Sequence, residues 1–407
     1  MTIKKLLIAN RGEIASRIIK SAHQMGISTV AIYTDPDANS PYVREAKEAF
    51  KLDSSYLDAK TIIEIATTAN VDAIHPGYGF LSENSNFANL VSKSNIKWVG
   101  PSANAIKKMG DKLTAKKLSE KANVPTLPMT SDPKEAKKIG YPLLIKAAAG
   151  GGGKGMRIVK SQKDLKESIA SAQREAEGGF GDKRVFIERY IAKSRHIEIQ
   201  ILGDSYGNIV HLGERECSIQ RRHQKVVEES PSPVVDEELR NEMGAAAIKI
   251  ASLLKYESAG TVEFLFDETT KEFWFLEVNT RLQVEHPVTE EVTGIDLVRE
   301  QLKIANGEPL DFSQEDIEWF GSSIEVRLYS EDPGNNFLPV TGKLIAFEPT
   351  EDPLVRWDTG VETGSEITPN FDPMLAKIIS YGETRVEAAN KLALALENSH
   401  FLSLIHI

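Results

Sequence analysis

A run of six residues, 150–155, of which five are glycine, is the feature that most limits how this chain can fold. The glycine loops of dinucleotide-binding folds and of P-loop proteins lead directly into a helix, whose N-terminus binds the phosphate. Here residues 156–159 follow, and their apolar pattern predicts a strand. Ala148 and Gly155 also stand where a P-loop requires glycine and a hydroxyl residue. The run therefore predicts a flap between two strands and excludes a dehydrogenase.

Such a flap can bind an anion, because glycine lets successive backbone N–H groups turn toward one ligand. Lys146 ends the strand that precedes the flap, and Lys154 lies within it. A mobile hairpin tip without a ligand is the alternative. It is disfavoured because so many consecutive glycines carry an entropy cost that a simple turn does not need.

Charge and composition exclude several classes of partner. The formal net charge of −10 argues against nucleic acid and against an anionic membrane surface, both of which require a basic face. No apolar stretch is long enough to span a bilayer, and the N-terminus does not resemble a signal peptide. Cys217 is the single cysteine, so no intramolecular disulfide can form. We expect a cytoplasmic protein in which Cys217 is a small buried residue.

The chain divides into regions of different pattern. Apolar strands at residues 5–9, 29–33, 71–74 and 97–99, with a helical period over 13–25, predict a Rossmann-like parallel sheet covered by helices on both faces. From Asp111 onward strands prevail, with helices at 112–122, 164–176 and 236–254, and the region after Ser322 is again mostly β. The fold class is therefore α/β and α+β, in several domains.

Polar residues on a predicted hairpin point to a metal site. Glu277 and Asn279 share one face of a strand, and Glu263 on the preceding strand can lie on the same face. Their neighbours are apolar, so these carboxylates need a cation. Oxygen ligands favour Mg²⁺ or Mn²⁺ shared with substrate phosphates. A solvated outer face carrying ordinary charges is the alternative.

Three further polar residues, Arg281, Gln283 and Glu285, continue this alternation after Asn279. An arginine can bind a small oxyanion with two hydrogen bonds, and a neighbouring carboxylate can act as an acid or base. The basic segment 221–225 adds positive charge, although such a segment alone is more often a solvated patch. We expect an oxyanion site next to the metal.

Five segments together resemble the biotin carboxylase family: residues 8–15, 75–84, 150–156, 221–225 and 277–287. The resemblance runs from about Ile3 to about Glu397. It implies an N-terminal α/β domain (1–111), an ATP-grasp domain (112–318) whose glycine-rich lid covers about 128–203, and a mostly β C-terminal domain (319–407).

The resemblance also implies roles for individual residues. For ATP binding it implies Lys112, Lys146, Gly152, Gly153, Glu188, Arg189, Tyr190, Ile191, His196, Gln220 and His223. For the metal it implies Glu263, Glu277 and Asn279, and for bicarbonate it implies Lys225, Arg281, Gln283, Val284 and Glu285. Arg327 would face biotin, and Arg281, Glu285, Lys225 and Arg327 would be catalytic.

The implied reaction uses ATP, Mg²⁺ or Mn²⁺, bicarbonate and biotin, with carboxyphosphate as the intermediate. The implied partners are a biotin carboxyl carrier domain or protein, a carboxyltransferase subunit and a second copy of the chain in a homodimer. Residues 371–377 look more like the long subunits of acyl-CoA carboxylases than like a stand-alone enzyme.

The family continues beyond the helix at 385–397, whereas this chain ends with residues 398–407. We expect a truncated C-terminal domain, since residues 402–407 match the translation of a sequencing-library adapter. Two alternatives to the biotin carboxylase interpretation stay open. The first is an ATP-grasp ligase that makes carbamoyl phosphate, which should lack Arg281, Gln283 and Glu285 together with Arg327. The second is a non-catalytic scaffold, which has no need of the predicted lysines and glutamates.

Overall fold

A computed structural model of the chain describes residues 2–149, 156–222 and 224–403. It begins with a five-stranded parallel sheet in the order β3-β2-β1-β4-β5. The strands are β1 (Lys5–Ile8), β2 (Ser28–Tyr33), β3 (Glu48–Lys51), β4 (Ala73–His75) and β5 (Lys97–Trp98). The helices of this region are α1 (Gly12–Gln24), α2 (Pro41–Glu45), α3 (Ala59–Thr68), α4 (Ser85–Lys93) and α5 (Ala103–Met109).

Both faces of this sheet are buried, as its continuous apolar strands predict. Leu6 and Ile8 pack with α1 on one face, while Leu7 packs with α3 and α4 on the other. The core face of α1 includes Ile14 and Ile18, four residues apart, which confirms the predicted helical period. The predicted Rossmann-like parallel domain is therefore confirmed.

The glycine run lies between two antiparallel strands of a four-stranded sheet, in the order β6-β9-β7-β8. Its elements are α6 (Lys112–Lys121), β6 (Met129–Thr130), α7 (Ala136–Ile139), β7 (Leu143–Ala147), β8 (Arg157–Val159), α8 (Gln162–Phe180) and β9 (Val185–Arg189). A strand and not a helix follows the glycines, as predicted. Residues 150–155 themselves lie outside the described part of the chain.

The largest sheet has eight strands, in the order β14-β13-β10-β11-β12-β15-β21-β19. The first six strands in this order, and the helices that connect them along the chain, are β10 (Arg195–Gly203), β11 (Ile209–Arg221), β12 (Gln224–Ser230), α9 (Glu237–Leu254), β13 (Ser258–Phe266), β14 (Phe273–Asn279), α10 (His286–Thr293), α11 (Leu297–Asn306) and β15 (Ser322–Tyr329). β11 is longer than the strand predicted at 209–213. Its second half carries Glu214, Arg215 and Glu216, whose buried charges hide the apolar pattern of a strand.

The C-terminal region adds β16 (Glu331–Asp332), β17 (Leu338–Pro339), β18 (Gly342–Glu348), β19 (Val355–Thr359), β20 (Glu366–Ile367), β21 (Met374–Gly382), α12 (Arg385–Glu397) and β22 (His400–Ser403). It is mostly β, as predicted. Strands β15, β21 and β19 extend the sheet of the preceding region through the pairing of β12 with β15. One sheet therefore crosses the position at which the sequence places a domain boundary.

No helix in the described ranges is long and apolar enough to cross a membrane. Cys217 is buried, as expected. In the C-terminal tail, β22 pairs with β18. Residues 404–407 lie outside the described part.

Candidate functional site

A cavity of about 710 Å³ lies between the four-stranded and the eight-stranded sheet. It collects every predicted site residue that the structure describes. These residues are Lys112, Lys146, Glu188, Arg189, Tyr190, Ile191, His196, Gln220, Lys225, Glu263, Glu277, Asn279, Arg281, Gln283, Val284, Glu285 and Arg327. The remaining predicted residues, Gly152, Gly153 and His223, lie outside the described ranges.

The β13–β14 hairpin brings the predicted metal ligands together. Glu263 lies directly opposite Glu277, and Thr261 lies opposite Asn279, so the two carboxylates and the amide share the face that lines the cavity. A β-bulge interrupts the register just beyond Glu263. The side chain of Glu263 is buried, whereas that of Glu277 is 30% exposed.

The expectation that strand alternation continues after Asn279 is wrong, because β14 ends at that residue. Residues 280–285 form an irregular segment before α10, yet Arg281, Gln283 and Glu285 still line the cavity. Side-chain contacts hold the segment instead of a strand ladder. Arg281 donates from Nη1 to Gln283 at 2.6 Å and from Nε to Glu83 at 2.9 Å.

Lys225 lies among three carboxylates. Its Nζ is 2.5 Å from Glu198, 3.0 Å from Glu263 and 2.6 Å from Glu285. Burial alone would lower the pKa of Lys225, but these three carboxylates raise it well above the ordinary value. Lys225 is therefore a fixed positive charge at the centre of the site.

Glu198, which was not among the predicted site residues, is fully buried and is shared between two cations. Arg215, also fully buried, donates from Nε to Glu198 at 2.5 Å and from Nη1 to Gln200 at 2.7 Å. The signal was present, because His196, Glu198 and Gln200 alternate with isoleucines along β10. A polar residue at every second position of a buried strand marks a face with charged partners.

Glu285 connects Lys225 to Arg327. The Arg327 guanidinium lies 3.1 Å from Glu285 and 2.6 Å from Glu228. Burial raises the pKa of Glu285, but Lys225, Arg327 and Arg215 outweigh burial and hold this pKa below its usual value. Glu285 is therefore an ionised carboxylate, able to accept a hydrogen bond.

Positive charge also gathers at the other end of the cavity. Lys146 lies 2.6 Å from Glu188, and Lys112 lies 3.5 Å from Glu277. A third lysine, Lys116, is buried 3.4 Å from Glu188. It was not among the predicted site residues, because a lysine on a helix is usually solvated. Burial raises the pKa of Glu188, but Lys146 and Lys116 bring it below its ordinary value.

The donor atoms of this cavity fit a hard divalent cation. Glu263, Glu277 and Asn279 offer oxygen only, which is the ligand type that Mg²⁺ and Mn²⁺ prefer. Within the described residues, His196, Glu198 and Glu263 also come within 4.8 Å of one another. In that cluster Glu198 is already paired with both Lys225 and Arg215 at 2.5 Å, whereas on the hairpin the ion pair of Glu277 with Lys112 is longer, at 3.5 Å. The β13–β14 hairpin is therefore the better candidate.

Three family models together match most of the chain. The model described as "Biotin carboxylase, N-terminal domain" matches residues 2–106, and "Biotin carboxylase C-terminal domain" matches 325–404. Between them, "Carbamoyl-phosphate synthase L chain, ATP binding domain" matches 111–313. The flanking matches distinguish this chain from a carbamoyl phosphate synthase.

Curated relatives agree with these matches. Biotin carboxylase 1 of Bacillus subtilis (strain 168) is 49% identical over 97% of this chain and 90% of its own length. The mitochondrial propionyl-CoA carboxylase alpha chain of Homo sapiens is also 49% identical, over 98% of this chain. This chain spans 56% of that relative, so it corresponds to about half of an acyl-CoA carboxylase subunit.

Two solved structures superpose closely on the fold. The biotin carboxylase domain dimer of Hydrogenobacter thermophilus 2-oxoglutarate carboxylase, in complex with MgADP, ADP and bicarbonate, has a TM-score of 0.96 at 43% identity and covers 99% of this chain and 91% of its own. A biotin carboxylase complex from Campylobacter jejuni has a TM-score of 0.95 at 43% identity, covering 98% and 92%.

Proposed function

Since the chain belongs to the biotin carboxylase family, we propose that it uses ATP and bicarbonate to carboxylate a ureido nitrogen of biotin. One observation carries this proposal: Arg281, Glu285 and Arg327 meet in the same cavity as the lysines and the oxygen donors. A ligase that makes carbamoyl phosphate would use the lysine end of the cavity but has no need of Arg327 beside Glu285.

We assign ATP to the end of the cavity lined by β7, β8 and β9. Lys112 and Lys146 would neutralise the phosphates, and residues 188–191 would contact the adenine. His196 and Gln220 line the same space and would complete the nucleotide site. The predicted roles of Gly152, Gly153 and His223 belong to this assignment as well.

We assign Mg²⁺ or Mn²⁺ to Glu263, Glu277 and Asn279. When bound, the ion would offset the negative charge on the terminal phosphates of ATP. The three side chains come from paired strands, so the hairpin fixes their spacing before ligands arrive. Lys112, 3.5 Å from Glu277, would add a second positive charge beside the same phosphates.

We assign bicarbonate to Lys225, Arg281, Gln283, Val284 and Glu285. Glu285 would take the proton of bicarbonate, and a bicarbonate oxygen would then attack the γ-phosphorus, releasing ADP and forming carboxyphosphate. An anion bound at Lys225 and Arg281 would draw these cations away from Glu285. The basicity of Glu285 would therefore rise when the substrate arrives.

Carboxyphosphate would break down to CO₂ and phosphate inside the closed cavity, away from bulk water. That phosphate would accept the proton of the biotin N–H group, and the nitrogen would attack CO₂. The guanidinium of Arg327 lies beside Glu285, and therefore next to the place where CO₂ would form. From there its positive charge would stabilise the negative oxygen of the ureido group. The lid at about 128–203, the segment that includes the glycine run, would close the site during these steps.

The domain division belongs to the same proposal: 1–111, 112–318 with a lid at about 128–203, and 319–407. We also propose a cytoplasmic location, a homodimer, a biotin carboxyl carrier domain or protein as the donor of biotin, and a carboxyltransferase subunit as the consumer of carboxybiotin. The similarity to long acyl-CoA carboxylase subunits supports the last two partners.

The test is bicarbonate-dependent ADP release, with and without free biotin. We expect biotin to stimulate the rate, and we expect Arg327→Ala to lose this stimulation while the exposed control Arg299→Ala keeps it. Nucleotide binding with no turnover would contradict the proposal and favour a scaffold. Carbamoyl phosphate formation without a response to biotin would contradict it in favour of the other ligase.

A further inference from the structure

Two fully buried carboxylates lie side by side behind Arg327. Glu228 of β12 lies directly opposite Glu325 of β15 in the antiparallel ladder, and each is 0% exposed. Directly opposite residues point to the same face of a sheet, with Cβ atoms about 4.5–5.5 Å apart. The two carboxyl groups are therefore near neighbours in a place that water does not reach.

Positive charge near this pair does not balance two ionised carboxylates. Arg327 donates from Nε to Glu228 Oε1 at 2.7 Å, and it also contacts Glu285. Lys377, on the next strand, donates to the Val284 carbonyl at 2.8 Å and lies within ion-pair distance of two other carboxylates. Arg327 is thus divided between Glu228 and Glu285, and no cation among the described residues donates a hydrogen bond to Glu325.

Three carboxylate oxygens of this pair have no hydrogen-bond partner among the described residues. They are Oε2 of Glu228 and both oxygens of Glu325. A buried ionised carboxylate without donors is very costly, whereas a protonated one can donate to its neighbour. One proton between the two groups would satisfy two of the three oxygens and remove one excess negative charge.

From this geometry we propose that Glu228 and Glu325 share one proton, and that this carboxyl pair is a positioning device that sets the charge facing Arg327. With the proton bound, the pair carries one negative charge and holds the guanidinium by Glu228 alone. When the proton is lost, a second negative charge weakens the attraction of Arg327 for the negative oxygen of biotin. The inference rests on the proposed function of Arg327 in the biotin step.

The surroundings agree with this assignment. The titratable groups that face the pair are Arg327, Glu285, Lys225, Lys377, Tyr78, Cys217 and Tyr329. Burial, opposed mainly by Arg327, raises the pKa of Glu228 to about 7. Burial likewise raises the pKa of Glu325 well above its ordinary value, although the positive charge of Lys377 lowers it. A proton is therefore retained near neutral pH.

The test compares pH profiles of the full chain and of Glu325→Gln, whose amide keeps one donor for Glu228 and never ionises. In the wild type we expect the biotin-stimulated rate, divided by the rate without biotin, to fall up to roughly tenfold per pH unit above the pKa of the pair. In Glu325→Gln this alkaline fall should be absent. Glu348→Gln, at an exposed position of β18, serves as the matched control. Identical profiles in all three proteins would overturn the proposal.

A second measurement does not depend on activity. Infrared difference spectra across neutral pH should show a protonated-carboxyl band in the wild type and in Glu348→Gln, and this band should be missing in Glu325→Gln. A wild-type protein without such a band would refute the shared proton. If the wild type hydrolyses ATP without any response to biotin, the proposed function fails, and the infrared result still decides whether the proton is shared.

Discussion

Arg281, in the irregular segment after β14, donates from Nε to Glu83, a residue 198 positions earlier in the chain. Glu83 also accepts a hydrogen bond from the backbone N–H of Thr280 at 3.1 Å. The N-terminal region thus holds the segment that carries the proposed bicarbonate ligands. This contact explains how a loop without strand pairing can point three side chains into one cavity.

Replacing Glu83 tests this relationship. We expect Glu83→Gln to raise the KM for bicarbonate about three- to tenfold while the KM for ATP stays nearly constant, because a partly exposed charge-assisted hydrogen bond is lost. Steady-state kinetics at varied bicarbonate measure the effect. Glu48→Gln, an exposed position on β3, is the control, and an equal rise of both KM values would contradict a local role.

Removing the carboxylate of Glu285 should abolish most of the chemistry. Glu285→Gln cannot accept the bicarbonate proton, so we expect bicarbonate-dependent ATP hydrolysis to fall by at least about 100-fold. Nucleotide affinity, measured by calorimetry, should change little, because the lysines at the other end remain. The exposed Glu272→Gln is the control, and near-normal turnover in Glu285→Gln would exclude a base at this position.

Lys116 should influence ATP binding although it does not line the cavity. In Lys116→Met, Glu188 would pair with Lys146 alone and draw that cation away from the phosphates. We expect the KM for ATP to rise several-fold with kcat nearly unchanged, and stability in urea to fall by about 1–3 kcal/mol. Lys117→Met, an exposed neighbour on α6, controls for the loss of charge. Arginine at position 116 should restore the KM, and failure to do so would argue for a packing effect.

Acid should weaken the fold through Asp358. Burial raises the pKa of this carboxyl, but Arg356 at 2.9 Å and Lys377 at 3.6 Å outweigh burial and hold the pKa below the ordinary value. Its stabilising effect is therefore complete above the pKa of the unfolded chain, about 4, and is lost as the pH falls toward the folded pKa.

We accordingly expect Asp358→Asn to be about 3–5 kcal/mol less stable than the wild type at pH 7, with the difference shrinking below about pH 4. Urea unfolding at pH 7, 5 and 3.5 measures both proteins. Asp53→Asn, at an exposed position, should follow the wild type throughout. A difference that is constant with pH would show that the pair does not titrate as described.

Much of the fold follows from local patterns. The alternation of two apolar faces in β1, the period of α1 and the strand after the glycine run each depend on neighbours in sequence, so they can be derived from sequence alone. Glu263 opposite Glu277 follows in the same way from the period of two on a hairpin. Family motifs then supplied the distant members of the site, such as Lys112 and Arg327.

Other features depended on contacts between distant segments. Lys116 and Glu228 carry charges that look solvated in sequence, and only their partners in space explain their burial. The full length of β11 could not be predicted for the same reason, because its second half carries buried charged residues.

The sequence by itself thus determined the elements whose period is local, such as β1, α1 and the strand after the glycine run, because periodicity depends only on neighbouring residues. The candidate side chains of the site came from residue chemistry on the predicted hairpin and from the family motifs. Only the tertiary structure decided that β12 pairs with β15 and places Glu228 against Glu325 behind Arg327. Pairing between strands almost a hundred residues apart is set by packing of the whole sheet, and the charge balance of a buried group depends on every side chain that surrounds it.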